Sequence, residues 1–487
     1  MGKTKRFLSC VAAVMLTVLV LSLLTQLMVK KDSYAKHQEF FDQKAPYDVF
    51  FVGASHMMNG VFPMELWKEY GLVSYNLAQA GHPLPANYWV MRLAFEHHEP
   101  KLVVIDCFSH DVDIKTSSTF GLMHISLDSF PASLTKTQAI FDLLDDPNSY
   151  NTDSGEPREK INLLWNFSVF HDRWASLEEN DFRPQKSYMR GAVINTEIFP
   201  GTMEKISASE KQEVKSVGLD YLKLMIEECQ NREIDVLLTY LPFPATEVVQ
   251  KKANALSDIA KQYSVDYINF LNLDVIDYSI DMADNNLHLN VSGARKVTNY
   301  LGEYIAKKYN FADHRQDSKY TNWIEDFDVY TNLKNIDISS QQDLYKTLLL
   351  ISNDNLDAVI TIQDQELFED PQIRTLLKNL GIDPACLNSE TNLLIIEDGG
   401  KRSSAISGFT PGTNYTDKTL GHISSTKDTD ALSKYYICVN GTELTADSSY
   451  DVCVSITRGG AFVDYVAYNF VLDKENCKIQ QIEVIRP

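Results

Sequence analysis

The chain has 487 residues, 44% of them hydrophobic and 11% aromatic, so it is long enough for two or three domains and too apolar to be disordered. Its formal net charge of −21 argues against a nucleic-acid ligand, whose phosphates the surface would repel. The seven cysteines show no CxxC or Cys/His metal spacing, which argues against zinc and favours buried thiols, with pairing among the last four left open.

The N-terminal region predicts a membrane anchor. Lys3, Lys5 and Arg6 precede an uncharged run of 23 residues, 7–29, whereas the apolar core of a signal peptide usually has about 7–15. We therefore expect a cytoplasmic tail (1–6), an uncleaved transmembrane anchor (7–29), a polar stem (30–45) and the rest of the chain outside the cell. A cleaved secretory signal is the alternative, and it would export the rest as well.

The segment DVFFVGASH, residues 48–56, predicts a buried strand that ends in a tight turn at Gly53. Ser55 then lies where ligands bind in open α/β sheets, beyond the carboxyl ends of the strands. A serine hydroxyl needs a histidine to take its proton, and a carboxylate usually orients that imidazole. His288, with Asp284 four residues before it, is the best candidate pair. The alternative for Ser55 is an ordinary turn or N-cap residue.

Short apolar runs alternate with amphipathic stretches as far as residue 308. Further strands are predicted before Gly81 and at 101–108, 234–240 and 265–270, with helices at 62–71, 87–98, 207–231, 246–263 and 292–308. This order predicts a largely parallel sheet with helices on both faces and right-handed crossovers. Such a sheet can bring Ser55 and His288 together.

Other candidate substrate contacts lie beside predicted strand ends or in the long segment 111–205. His56 adjoins Ser55, and His110 and Asp111 follow the strand 101–108. Arg173 and Trp174 are of interest because guanidinium groups and aromatic faces suit anions and polyols. Ordinary structural roles, as solvated loop or core residues, are the alternative for these side chains.

Two blocks of residues carry a family resemblance. The first is Gly53-Ala54-Ser55-His56 after a strand, and the second is Asp284 to His288 followed by Leu289-Asn290 and Gly293-Ala294 at the start of a helix. They resemble the first and last blocks of the SGNH (GDSL-like) hydrolase superfamily. More narrowly, they are similar to its membrane-anchored bacterial branch, which includes the teichoic-acid D-alanyl transfer protein and the alginate O-acetyltransferases.

The resemblance covers about residues 46–310 and implies a three-layer α/β/α, flavodoxin-like fold. It further implies a catalytic triad of Ser55, His288 and Asp284, with an oxyanion hole formed partly by the backbone amides of Ser55 and Gly81. The family spacing Asp-x-x-His would place Asn285, rather than Asp284, beside the histidine. The family's third block, Gly-x-Asn-Asp, is replaced by DCFSHDV at 106–112, so a third oxyanion donor is unassigned.

The C-terminal part predicts a second, smaller α+β domain at 331–487 after a polar linker at 311–330. Helices are expected near 341–352 and 370–381, strands at 356–364, 392–401 and 434–439, and a hairpin across Gly459-Gly460 within 451–470. The helix 370–381 and the strand ending in Gly399-Gly400-Lys401 resemble, in permuted order, the domain of interleukin-like EMT inducer proteins and the stem of a protein O-mannose N-acetylglucosaminyltransferase. That resemblance implies carbohydrate binding; a structural or partner-docking module is the alternative.

Together these patterns favour a membrane-anchored extracellular serine esterase or O-acyltransferase. Its expected substrates are acyl esters, such as acetyl esters, of a cell-envelope polysaccharide. No cofactor or metal is implied, and a polytopic membrane O-acyltransferase is the implied partner if the enzyme transfers acyl groups. The alternative is a noncatalytic factor for envelope polysaccharide assembly or glycan binding that retains the fold.

Overall fold

The structure is a computed structural model. It describes residues 3–485 except 32–33, 118, 146–158, 184–185, 341–342, 354–355, 390, 418–420, 428–433, 440–441 and 459–460. The chain divides into two compact units. The first comprises residues 1–193, 203–275 and 297–324, and the second comprises residues 194–202, 276–296 and 325–487.

The chain alternates helices and short strands in its first half and becomes rich in strands towards its C-terminus. The helices are α1 (Lys3–Met28), α2 (Tyr34–Asp42), α3 (Ser55–Gly60), α4 (Pro63–Tyr70), α5 (Leu84–Phe95), α6 (Phe120–Leu127), α7 (Leu134–Leu143), α8 (Lys160–Leu164), α9 (Phe167–Phe170), α10 (Glu179–Phe182), α11 (Val217–Asn231), α12 (Glu247–Tyr263), α13 (Val291–Lys308), α14 (Thr321–Ser340), α15 (Leu344–Asn353) and α16 (Pro371–Asn379). The strands are β1 (Val49–Val52), β2 (Ser74–Asn76), β3 (Leu102–Asp106), β4 (Asp235–Tyr240), β5 (Asp266–Asn269), β6 (Met282–Ala283), β7 (His288–Leu289), β8 (Asp357–Ile362), β9 (Asn392–Glu397), β10 (Arg402–Ser407), β11 (Asn414–Asp417), β12 (Gly421–Lys427), β13 (Lys434–Val439), β14 (Thr442–Asp447), β15 (Val452–Arg458), β16 (Ala461–Asp473) and β17 (Lys478–Ile485).

The first unit is built on a five-stranded parallel sheet with the strand order β2-β1-β3-β4-β5. Every residue of β1, β2 and β3 is buried, as expected for parallel strands that are covered on both faces. The chain moves to one side of β1 to form β2 and then returns to the other side to form β3. In open α/β sheets such a reversal of strand order marks the crevice where ligands bind, and here it lies between the ends of β1 and β3.

The segment predicted as a polar stem contains a packed helix. Residues 34–42 form α2, and Phe40 is fully buried, with its ring against Tyr47, Phe50 and Tyr75. Trp323, in the segment predicted as a linker, is likewise fully buried in the first unit and donates a 3.1 Å hydrogen bond from Nε1 to Gln43. Burial of these aromatic rings explains why both segments fold instead of remaining extended.

The second unit contains two antiparallel sheets in its C-terminal region. One has six strands in the order β10-β9-β8-β15-β16-β17, and the other has four in the order β11-β12-β13-β14. Apolar side chains from both sheets, among them Ile395, Ile423, Ile437 and Ala467, form one core. The predicted hairpin is formed by β15 and β16, and its turn residues Gly459 and Gly460 lie outside the described residues.

One helix in the described part of the chain is long and apolar enough to cross a membrane. It covers Thr4–Met28, 25 residues with a mean hydropathy of 2.7. A length of about 20 residues spans the hydrocarbon core of a bilayer. This agrees with the expected single-pass anchor and leaves the sidedness of the chain a prediction.

Candidate active site

Ser55 directly follows the turn at the end of β1. It is the first residue of α3 and is half-buried, and its carbonyl accepts a 2.9 Å hydrogen bond from Asn59 Nδ2. The turn needs glycine at position 53, because an added Cβ would lie 2.9 Å from the Cβ atoms of both Asp106 and Met57. The close pass of β1 and β3 therefore fixes the backbone immediately before the serine.

Asp106 is a buried acid that sequence analysis did not single out. It ends β3, is 1% exposed, and accepts a 3.2 Å hydrogen bond from the Leu241 amide at Oδ1. Burial raises the pKa of this carboxyl to about 7. The available signal was the charged residue that terminates an otherwise apolar buried strand. Its place beside Gly53 makes Asp106 part of the same strand-end region as Ser55.

His56 and His110 are packed into the first unit. The His56 ring lies edge-on to Phe108, with centroids 3.7 Å apart, and stacks on Phe243 at 5.1 Å. His110 is 1% exposed, and its Nδ1 lies 2.9 Å from the Cys107 carbonyl. Burial lowers the pKa of His110, which favours the neutral ring. Both contacts are structural, so a substrate role for either histidine stays a prediction.

Asp111 and Arg173, two further predicted substrate contacts of the first unit, also have protein partners. Asp111 forms a 2.8 Å ion pair with Lys252. Arg173 holds both carboxylate oxygens of Asp181, at 2.9 and 3.1 Å, and donates a 2.6 Å bond to the carbonyl of Met28, the last residue of α1. Trp174 is 71% exposed. Its side chain is therefore the most accessible of this group.

The predicted histidine and aspartate are in contact in the second unit. His288 Nδ1 lies 3.0 Å from Asp284 Oδ2, and the exposed Asn285 does not take this place. The two residues belong to a hairpin in which β6 and β7 are antiparallel, with Ala283 opposite His288. This contact orients the imidazole through Nδ1, the arrangement in which Nε2 acts as the base.

The turn of this hairpin is conformationally strained. Asp284, Asn285 and Asn286 have φ values of 48°, 55° and 65°, in the left-handed region that non-glycine residues rarely adopt. Aspartate and asparagine tolerate this region better than other side chains. This unusual turn brings the Asp284 carboxylate to the ring of His288, four residues later in the chain. Strained backbone of this kind is common at functional sites.

Asn195 supports Asp284 from a neighbouring segment of the second unit. Its Nδ2 donates a 2.7 Å hydrogen bond to Asp284 Oδ2, and its carbonyl accepts a 2.7 Å bond from the Val291 amide. No sequence pattern marks Asn195, because it lies in a segment without regular secondary structure. Only the folded structure brings position 195 beside position 284.

The residues after His288 hold the hairpin against the start of α13. Asn290 Oδ1 accepts bonds from the amides of Ser292 and Gly293, and its Nδ2 donates to the carbonyls of Ile280 and Glu197. Gly293 permits this contact, because an added Cβ would lie 2.6 Å from the Asp281 carbonyl. Asn290 and Gly293, which belong to the block that carries the family resemblance, therefore have structural roles in this hairpin.

Ser55 and Gly81 belong to the first unit, and His288 and Asp284 to the second. Gly81 has a φ of +65° and lies beyond the end of β2. The contact of Ser55 with His288 and the oxyanion role of the Ser55 and Gly81 amides remain predictions. Within the described residues, no group of three or more His, Cys, Asp or Glu side chains is arranged to hold a metal ion.

Comparisons with known proteins give little beyond this geometry. No protein-family model and no curated protein matches the chain. Among solved structures, one from Bacteroides fragilis, described as a candidate acylhydrolase, is 13% identical to this chain. The matched region covers 55% of this chain and 93% of the Bacteroides chain, and the TM-score is 0.28. A likeness at this level carries no argument about activity.

Proposed function

We propose that the protein is a membrane-anchored serine esterase or O-acyltransferase of the SGNH type. Its proposed substrates are acyl esters, such as acetyl esters, of a cell-envelope polysaccharide. The observation that carries the proposal is the 3.0 Å contact between His288 Nδ1 and Asp284 Oδ2, because it prepares an imidazole for general-base catalysis.

The position of Ser55 gives the second support. It directly follows the end of β1, next to the reversal of strand order between β1 and β3. Nucleophiles and ligand contacts of open α/β sheets lie in this position. We infer the three-layer arrangement with helices on both faces of the sheet from the same strand order, since consecutive parallel strands require right-handed crossovers.

The proposed chemistry proceeds through an acyl-serine. Ser55 Oγ forms a bond to the acyl carbon while His288 Nε2 takes the hydroxyl proton, and the amides of Ser55 and Gly81 stabilise the oxyanion. The ester C–O bond then breaks, and His288 returns the proton to the leaving sugar oxygen. Asp284 stabilises the imidazolium during both transfers.

The second half of the cycle decides between hydrolysis and transfer. Either water or another sugar hydroxyl attacks the acyl-serine, gives its proton to His288, and displaces Ser55 Oγ, which recovers that proton. Transfer from one sugar ester to another sugar needs no further donor, whereas acylation of new polysaccharide would need a supply of acyl groups from inside the cell. A polytopic membrane O-acyltransferase is the proposed partner for that step, because one membrane helix cannot carry an acyl donor across lipid.

The location of α1 supports a permanent anchor over a cleaved signal. Met28, at the end of α1, is 7% exposed, and its carbonyl accepts the hydrogen bond from Arg173. Cleavage after Met28 would remove this buried side chain and leave Arg173 without that acceptor. We propose that the C-terminal sheets are an accessory module, with carbohydrate binding as the role the family resemblance implies.

The activity test uses the full-length protein purified in detergent. Wild type should release p-nitrophenol from p-nitrophenyl acetate and acetate from O-acetylated polysaccharides, and S55A and H288A should lose activity by about 10³-fold or more. Addition of an unacetylated oligosaccharide acceptor separates transfer from hydrolysis, because transfer yields an acylated acceptor. A folded wild-type protein without turnover would contradict the proposal and favour the noncatalytic glycan-binding alternative.

A further inference from the structure

The segment 160–182 packs against the last turns of the membrane helix. It contains α8, α9, the turn at Arg173 and α10, and is called the collar below. Within the first unit, α9 and α10 pack against α1, and the Arg173 guanidinium bonds to the Met28 carbonyl at 2.6 Å. The collar is thus tied to the point where α1 ends.

The depth of this contact follows from the geometry of α1. Its partly or fully buried positions include Leu21, Thr25 and Met28, which share one helix face. A hydrocarbon core of about 30 Å takes about 20 residues at 1.5 Å each, so a core that begins at Phe7 ends near Gln26. The face from Leu21 to Met28 therefore spans the boundary between acyl chains and headgroups. Whatever packs on this face lies at that boundary.

The collar exposes large apolar side chains at this level. Five of them are between 45% and 71% exposed: Ile161, Leu164, Trp165, Trp174 and Phe182. The chain has five tryptophans, and the other three, Trp67, Trp89 and Trp323, are at most 7% exposed. Both exposed tryptophans are thus in the collar. Tryptophan is enriched at membrane interfaces, where its ring lies at the level of the headgroups.

The chain leaves no room for a long spacer between the membrane and the first unit. Only residues 29–33 separate α1 from α2, so their ends lie at most about 20 Å apart. A groove of about 700 Å³ also runs along α1, with Leu21, Phe130, Leu163 and Trp165 in its lining. In a bilayer, the part of this groove beside Leu21 would face lipid acyl chains.

We propose that the collar is a membrane-seating surface whose exposed apolar side chains enter the outer boundary of the bilayer. We take lipid as the partner of this surface, because the collar binds the end of a helix that is long enough to span the membrane. The exposed acids Asp172, Glu178 and Glu179 limit the depth of insertion to the headgroup region and argue against a preference for anionic lipid. Seating of this kind would hold the first unit at a fixed height above the bilayer.

Tryptophan fluorescence tests this proposal in the full-length protein. The protein is reconstituted in phosphatidylcholine liposomes with plain or brominated acyl chains, since bromine quenches tryptophans that it contacts. Brominated lipid should lower the emission by up to about two fifths, because two of the five tryptophans are exposed on the collar. The variant W165F/W174F should show no loss, and acrylamide in the water should quench wild type less in liposomes than in a detergent of short chain length.

A matched control moves an exposed tryptophan elsewhere. Val248 on α12 is 51% exposed, and α12 packs on β5 at the edge of the sheet. In the W165F/W174F background, the emission of V248W should be quenched by acrylamide and should be the same in plain and brominated lipid. Equal emission of wild type in both lipids, or a loss that persists in W165F/W174F, would overturn the proposal. The wild-type comparison needs no variant, so equal emission in the two lipids overturns the proposal even if W165F/W174F fails to fold.

Discussion

His288 Nδ1 lies 3.0 Å from Asp284 Oδ2, and the same carboxylate oxygen accepts a 2.7 Å hydrogen bond from Asn195. Two donors on one oxygen fix the carboxylate, and the carboxylate fixes the imidazole. The ring is thereby oriented with Nδ1 towards Asp284, which leaves Nε2 as its basic nitrogen. The proposed catalysis depends on this order of contacts.

Replacement of Asp284 tests the orientation of His288. D284N should lower kcat by about 10³- to 10⁴-fold, because an amide cannot stabilise the imidazolium and favours the wrong tautomer. The measurement is hydrolysis of p-nitrophenyl acetate from pH 5 to 9. The matched control is N285G at the neighbouring exposed position, because glycine keeps the φ of 55° without strain, and it should stay within about twofold of wild type. Equal losses in the two variants would indicate damage to the turn rather than to a catalytic carboxylate.

Asn195 is predicted to be a positioning residue. N195A removes one hydrogen bond to a charged oxygen, worth about 1.5 kcal/mol, so kcat should fall about tenfold while KM stays nearly constant. N195S retains a donor and should recover part of the loss. A fall in thermal stability without change in kcat would assign Asn195 a structural role alone.

The pKa of Asp106 predicts a pH-dependent stability. Burial raises this pKa to about 7 from the ordinary value of 3.8, so between these values the folded chain binds more protons than the unfolded chain. The contribution of Asp106 is therefore most favourable below pH 4 and is lost as the pH rises to about 7. D106N cannot ionise, so it avoids this loss of stability, and its side-chain oxygen can still accept a hydrogen bond from the Leu241 amide.

The expected gain of D106N over wild type is on the order of 2–4 kcal/mol at pH 8 and shrinks towards zero near pH 4. Melting temperatures of both proteins across this pH range, in the same detergent, give the difference directly. A difference that is the same at pH 4.5 and pH 8 would show that Asp106 does not titrate in this window.

Much of the first unit could be predicted because its strands are short apolar runs with clear ends. The strand at Asp48–Val52 was predicted within one residue, and the strand expected at 234–240 is Asp235–Tyr240. The helix expected from about Ser207 instead begins at Val217, where the Ser216 side chain accepts from the Leu219 amide. The preceding residues bond to α12, through Ile206 to Gln250 and Gln212 to Lys251, and such tertiary contacts leave no local signal.

The candidate site was predictable only in part, for a related reason. Asp284 and His288 are close in sequence, so their contact could be expected from spacing. Asn195 and Asp106 join the site through contacts between segments that are distant in sequence. No periodic pattern in the sequence marks such contacts. The aromatic residues Phe40 and Trp323 were visible in the sequence, but their polar neighbours made the segments resemble a stem and a linker.

Gly53 is predicted to be intolerant of any side chain. G53A places a Cβ 2.9 Å from two Cβ atoms that cannot move independently of the backbone, so it should destabilise the protein by about 1–3 kcal/mol. The matched control is G121A in α6, where the nearest atom to the new Cβ is 4.0 Å away, and it should be neutral or stabilising by up to about 1 kcal/mol. Thermal unfolding in detergent compares them. Similar melting temperatures for G53A and wild type would mean that the β1 turn adapts without cost.

The central claim is that Ser55 is a nucleophile activated by His288, and covalent labelling tests it most directly. Full-length protein is treated with a fluorophosphonate, and the adduct is located by mass spectrometry of its peptides. We predict a single phosphonylated serine at position 55, no adduct in S55A, and labelling at least about 10³-fold slower in H288A. A folded protein that is not labelled, is labelled at another serine, or reacts equally fast in H288A would contradict the account.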